Sequence, residues 1–256
     1  MTDAPAPAVA THVADGVRHI VFDRPDKLNA LTVAEMAEVT RLVGDPGPDV
    51  RALVFTGSGE RAFSAGMHVD SFTALNPAGA RAFISGTRDF VGAVRTSQLP
   101  TMAVVNGYCL GAAFELALAC DLRVSTDTAQ FGLPEVKVGI PSVVDAALLQ
   151  EHIGLSMAKE IILTGDLYDA AEMYRLGLLN RVVPRAALEE TAGDLLSRVT
   201  RHTRTVLASQ KRLFEIWQNT ALRVGIEQSV EEFARVFESP ETLDQARRHR
   251  DSLGTK

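Results

Sequence analysis

Residues 16–22 alternate apolar and polar side chains and stop at Arg24-Pro25. A repeat of two predicts a strand. Thr32, with Glu35 three residues on, reads as a capping box, and the apolar spacing after it predicts a helix over 33–43. Residues 51–56 are β-branched and apolar, a strand that runs into the turn Gly57-Ser58-Gly59. Residues 62–66 are small and read as a turn, with a helix starting near His68. A helix over 77–96 and a strand over 101–106 follow, the strand ending in the turn pair Asn106-Gly107. Residues 111–120 are rich in alanine and leucine and predict a buried helix. A strand over 121–126 and a loop over 131–141 with a short extended piece come next. Beyond Ser142 the pattern is helical, apart from a short strand over 179–183 between Gly177 and Pro184.

Strands alternating with helices, then helices alone, predict an α/β core with a helical C-terminal section. Residues 1–12 read as a disordered lead-in, 13–186 as the core, and 187–256 as charged amphipathic helix suited to oligomerisation. A chain of 256 residues, 46% hydrophobic and 23% charged, is long enough to bury a core without staples. The formal net charge of −6 argues against a nucleic-acid partner. Cys109 and Cys120 form no CxxC pair and have no histidine at ligand spacing, so no metal site is expected. They read as buried free thiols. No run reaches the ~18 apolar residues a membrane span needs, and the first residues lack a signal peptide's pattern, so a cytoplasmic protein is expected.

No dinucleotide, P-loop, zinc-protease or nucleophile-elbow motif is present. Two segments share a different logic, 55–72 and 105–123: strand, tight turn of glycine and alanine, helix. Such a turn brings free backbone N–H groups to a surface, and small side chains let a ligand reach them. Two such turns facing each other make an oxyanion hole. Glu115 lies in the first turn of its helix, where a carboxylate commonly complements the dipole. Its surroundings, AAFELALAC, make burial costly and mark it as a functional candidate. Glu135 after Phe131-Gly132-Leu133-Pro134 reads equally as a surface turn residue.

The segments RPDKLNAL (24–31), FSAGMHVD (63–70), VNGYCLGAAFELALACDLR (105–123) and FGLPEVKVGIP (131–141) together resemble the crotonase, or enoyl-CoA hydratase/isomerase, family. The likeness runs in order from residue 17 to at least 211. It implies a crotonase-like spiral of ββα units, a C-terminal helical trimerisation region, and a homotrimer or a hexamer built as a dimer of trimers. It implies an acyl-CoA thioester as substrate, with coenzyme A part of that substrate and no separate cofactor. The resemblance puts the oxyanion donors at the backbone N–H groups of Met67 and Ala112, beside Gly66 and Gly111. It puts the coenzyme A grip at Lys27, Leu28, Ala30 and Ala65. The two glutamates that hydratases use fall on Glu115 and Glu135, and the activity implied is hydration of a 2-enoyl-CoA. An isomerase, thioester hydrolase or carbon–carbon lyase on the same scaffold, or a non-catalytic acyl-CoA binder, are the alternatives.

Departures cluster in one place. Where the family commonly has a glycine-rich run, this chain has Ser142, Val143, Val144 and Asp145. Bulkier groups there reshape an acyl pocket. Ser142 and Asp145 are therefore candidate substrate contacts, although Ser142 as an N-cap with Asp145 in a first turn is the preferred local reading. His68 stands where the family commonly has aspartate. It is a candidate contact too, with a helix start as its plainer role.

Overall fold

A computed structural model describes residues 8–253. The chain opens with a hairpin of β1 (Val9–Ala14) and β2 (Val17–Phe22), paired antiparallel. Its turn residues, Asp15 and Gly16, both have positive φ, 49° and 74°. That is the pattern that matches the twist of a two-residue hairpin. The lead-in expected through residue 12 is corrected over 9–12, which are strand; residues 1–7 lie outside the described residues.

The strands that follow are β3 (Ala52–Gly57), β4 (Ala62–Ser64), β5 (Thr101–Val105), β6 (Tyr108–Leu110), β7 (Leu122–Thr126), β8 (Gln130–Gly132), β9 (Tyr168–Asp169) and β10 (Arg181–Val183). They form two sheets, one ordered β1-β2-β3-β5-β7-β10 and one ordered β4-β6-β8-β9. Successive pairs, β3 with β4, β5 with β6 and β7 with β8, each give one strand to each sheet. Helices α2 (Pro77–Arg95) and α3 (Ala112–Ala119) follow the first two pairs. The result is a spiral of ββα turns, as the resemblance implied. From β2 to β10 the large sheet is parallel.

Parallel strands are covered on both faces, and β3 shows how. Leu53 and Phe55 join the main core, while Ala52 and Val54 face a second cluster. Leu188, Ala192 and Leu196 of α7 (Leu188–Thr200) close that second face. The main core holds Phe22, Phe55, Phe63, Phe90, Phe114 and Phe131, all essentially buried. Each contributes about 1.5–3 kcal/mol on leaving water.

The expected capping box closes α1 (Val33–Gly44): Thr32 caps the helix and Glu35 reaches back to the Thr32 N–H. The expected helix near His68 is only a 3-10 turn over Val69–Ser71. Past residue 142 come a 3-10 turn over Val144–Leu148, then α4 (Leu149–Ile153), α5 (Leu155–Thr164) and α6 (Ala170–Arg175). Beyond α7, the tail comprises α8 (Arg204–Asn219), α9 (Leu222–Val236) and α10 (Pro240–Leu253). On α9, Leu222, Ile226, Val230 and Phe233 recur at helical spacing and are exposed, Leu222 at 80% and Phe233 at 67%. Among the described residues, no helix is long and apolar enough to cross a membrane.

Candidate active site

The site is assembled where three turns meet. The first lies between β4 and the turn over Val69–Ser71. A parallel bridge pairs Leu31 with Met67. It uses the N–H of Leu31, donated to Gly66 O at 2.8 Å, and the N–H of His68, donated to Leu31 O at 2.8 Å. The Met67 N–H between them therefore faces the other way. The second turn is Gly111, at φ 55°, leading into α3. Ala112 is the first helical residue, so its N–H has no partner within the helix. The two turns touch. A Cβ on Gly66 would meet Leu110 O at 2.6 Å and Ala112 N at 3.2 Å. Only glycine at Gly66, itself at φ 82°, allows this approach.

The third turn is the 3-10 segment Pro134–Val138, which carries Glu135. A Cβ on Gly111 would meet Glu135 Oε1 at 2.8 Å, so this carboxylate hangs directly over the second turn. Ser142 Oγ donates to Glu135 Oε2 at 2.8 Å. Glu115, one helical turn into α3, is 4% exposed. The three turns enclose a cavity of about 210 Å³, and Met67, Ala112, Glu115 and Glu135 all line it. Val69, Phe72, Ile84, Ile140 and Val143 make the rest of the wall largely apolar.

Burial pushes the Glu115 carboxyl well above the usual carboxylate range, and the nearby Glu135 and Asp145 carboxylates push the same way. The Ala146 backbone amide opposes them. Burial also raises Glu135, but the Ser142 hydroxyl and its own backbone amide favour its charged form. The two nearby carboxyls thus disfavour double ionisation.

The loop 27–31 is stitched onto the first turn. Ala65 N–H donates to Leu28 O at 2.9 Å. Asn29 receives the Arg24 N–H and gives its amide to Ala62 O at 2.8 Å and Ser58 O at 3.0 Å. Leu28 and Asn29 both sit at positive φ, 51° and 55°. Lys27 is exposed and Ala30 is buried, so this strip offers main chain and one free ammonium group beside Ala65.

The profile of the family described as enoyl-CoA hydratase/isomerase matches residues 12–248. The chain belongs to the enoyl-CoA hydratase/isomerase family. It is 38% identical over 227 residues to a probable enoyl-CoA hydratase of Mycobacterium tuberculosis, covering 86% of this chain and 84% of the relative. It is 30% identical over 229 residues to the short-chain-enoyl-CoA hydratase of Clostridium acetobutylicum, with 88% and 87% covered. The structure superposes on an enoyl-CoA hydratase subunit from Geobacillus kaustophilus with a TM-score of 0.89 at 31% identity, covering 96% and 95% of the chains.

Within this hydratase/isomerase fold, three expected substrate contacts are placed differently. His68 is off the cavity wall, 3.5 Å from Asp70. Ser142 is also off the wall, and it holds Glu135 instead of capping a helix; Val143 is the N-cap position and makes no side-chain cap. Asp145 is off the wall in the first turn of the 3-10 segment, the preferred reading, and is buried at 8%, where it accepts from Arg95 Nε at 2.9 Å. Sequence reasoning also missed Arg123. Its buried guanidinium donates to the carbonyls of Ala117, Cys120 and Leu178 at 3.0, 2.5 and 2.8 Å, fixing the far end of α3. Thr87, also missed, places Oγ1 3.4 Å from Met67 Sδ. No local motif marks either residue: Arg123 reaches Leu178 across 55 positions and Thr87 reaches Met67 across 20.

Proposed function

We propose that this protein is an enoyl-CoA hydratase that adds water across the double bond of a 2-enoyl-CoA. One observation carries the reading: Glu115 and Glu135 line the same small, largely apolar cavity as Met67 and Ala112, whose backbone amides belong to two glycine turns that touch there. The thioester carbonyl oxygen accepts from both amides, and they stabilise the enolate-like charge that develops on it. The two carboxyls hold one proton and one water. The ionised member takes a proton from the water as its oxygen attacks the β-carbon, and the protonated member delivers a proton to the α-carbon. The main-chain strip from Lys27 to Ala30, with Ala65, grips the coenzyme A portion. The exposed apolar stripe on α9 supports a homotrimer, or two stacked trimers, in which a neighbouring copy covers it.

The test is direct. Purified protein mixed with crotonyl-CoA is expected to bleach the conjugated enoyl absorbance and yield the 3-hydroxyacyl thioester by mass spectrometry. A steady absorbance with crotonyl-CoA, while a 3-enoyl-CoA is converted to its 2-enoyl isomer, would replace hydratase by isomerase.

A further inference from the structure

The segment that replaces the family's glycine-rich run is held in an expensive conformation. Val144 has φ 54°, a left-handed region that β-branched side chains avoid. Such strain persists only where neighbours over-determine it. The strained residue begins the 3-10 turn over Val144–Leu148, which lies against both α3 and α2. From this turn Asp145 points to α2, where Arg95 Nε donates to its Oδ1 at 2.9 Å. Arg95 Nη1 in turn donates to Glu215 on α8. The next residue, Ala146, closes the turn by donating its amide to Val143 O at 3.0 Å. An ion-pair chain, Glu215–Arg95–Asp145, thus runs from the tail to the turn packed on α3, the helix that carries Glu115.

We propose that Asp145, anchored by Arg95, is a positioning residue that sets the charge state of the Glu115–Glu135 pair from behind the cavity. This rests on the hydratase reading for its consequence in turnover, but not for its electrostatics. Burial raises the Asp145 carboxyl while the Arg95 guanidinium favours its charged form, and as a carboxylate it opposes a negative charge on Glu115. Arg95 offsets part of that field, and Glu215 draws on Arg95 from the other side. Other charged groups near α3 are Glu135 and Lys137 on the cavity wall, the latter paired with Asp166, and Arg123, Asp121 and Lys211 at the helix's far end. His152, which contacts Leu118 O at 3.2 Å, is held neutral, its pKa lowered to about 4 by burial and by Arg123. Asp145 and Glu135 are thus the anions that face the Glu115 carboxyl.

Asp145→Asn and Glu215→Gln each remove one negative charge from this chain, so both ease ionisation of Glu115. In the intact protein, the alkaline limb of the kcat/KM profile on crotonyl-CoA reports loss of the pair's shared proton. Asp145→Asn is expected to move that limb to lower pH by about half a unit or more, with KM within about two-fold of wild type. Glu215→Gln, at the solvent-facing end and safe for folding, moves it the same way by less. A structural fastening alone would lower activity at every pH and leave the limb in place. An unmoved limb in both variants, or a shift to higher pH, overturns the proposal. Carbon-13 titration of the Glu115 carboxyl in the free protein reads the same shift without turnover. If crotonyl-CoA is not hydrated, the function fails while this titration still decides the tuning.

Discussion

Glu35 and Glu115 are buried almost equally, 2% and 4% exposed, yet they end on opposite sides of the ordinary carboxylate range. At Glu35 burial pushes upward, but the Thr32 hydroxyl, the Ala8 and Thr32 amides and the Arg24 guanidinium outweigh it and hold the group low. Arg24 donates at 2.6 Å and the Thr32 N–H at 2.7 Å. Glu232, 3% exposed on α9, behaves the same way between Arg212 and Arg235. At Glu115 the neighbours are two further acids and a single amide. Burial alone therefore does not mark a reacting carboxyl. The mark is burial that the surrounding protein leaves uncompensated.

The hardest blow to that contrast falls on its unpartnered side. Glu135→Gln is expected to lower kcat on crotonyl-CoA by about 10²- to 10⁴-fold with little change in KM, because the proposed coenzyme A grip lies on another loop. A wild-type rate would remove Glu135 from the proton chemistry. Next comes the compensated side. Glu35→Gln keeps the shape but breaks a charge-assisted network, and should cost about 1–3 kcal/mol in urea unfolding. An unchanged midpoint would put Glu35 in the same class as Glu115.

The smallest effect has the opposite sign. The folded Glu115 keeps its proton above the range in which the unfolded chain gives one up. The unfolded state therefore binds fewer protons between those two pKa values, and stability falls as pH rises through that window. Glu115→Gln escapes this cost. It should melt higher at neutral pH, by about 2–4 °C for each kcal/mol regained. The gain should vanish below the ordinary value of 4.5. A melting temperature lower than wild type at neutral pH would show that Glu115 is compensated after all.

What the sequence disclosed follows from range. The Thr32–Glu35 capping box, the buried helix α3 and the paired glycine turns are local patterns, and all are present as expected. Strand β1 was legible in principle, since Asp15-Gly16 is a hairpin signal, but the polar lead-in masked it. The strands β4, β6 and β8 have three residues each and carry too short a repeat to read. The Arg95–Asp145 pair spans 50 positions, and Arg123 meets Leu178 across 55. No spacing rule reaches that far. Ser142 invited the wrong reading because a hydroxyl before a helical run is a common cap, whereas here the Glu135 carboxylate, 7 residues earlier, claims it first.

The strained valine at 144 has an evolutionary side. Valine and glycine codons differ by one base, and glycine would sit in that left-handed backbone without penalty. A mutation there would release conformational energy rather than consume it, while freeing a turn next to Val143 on the acyl wall.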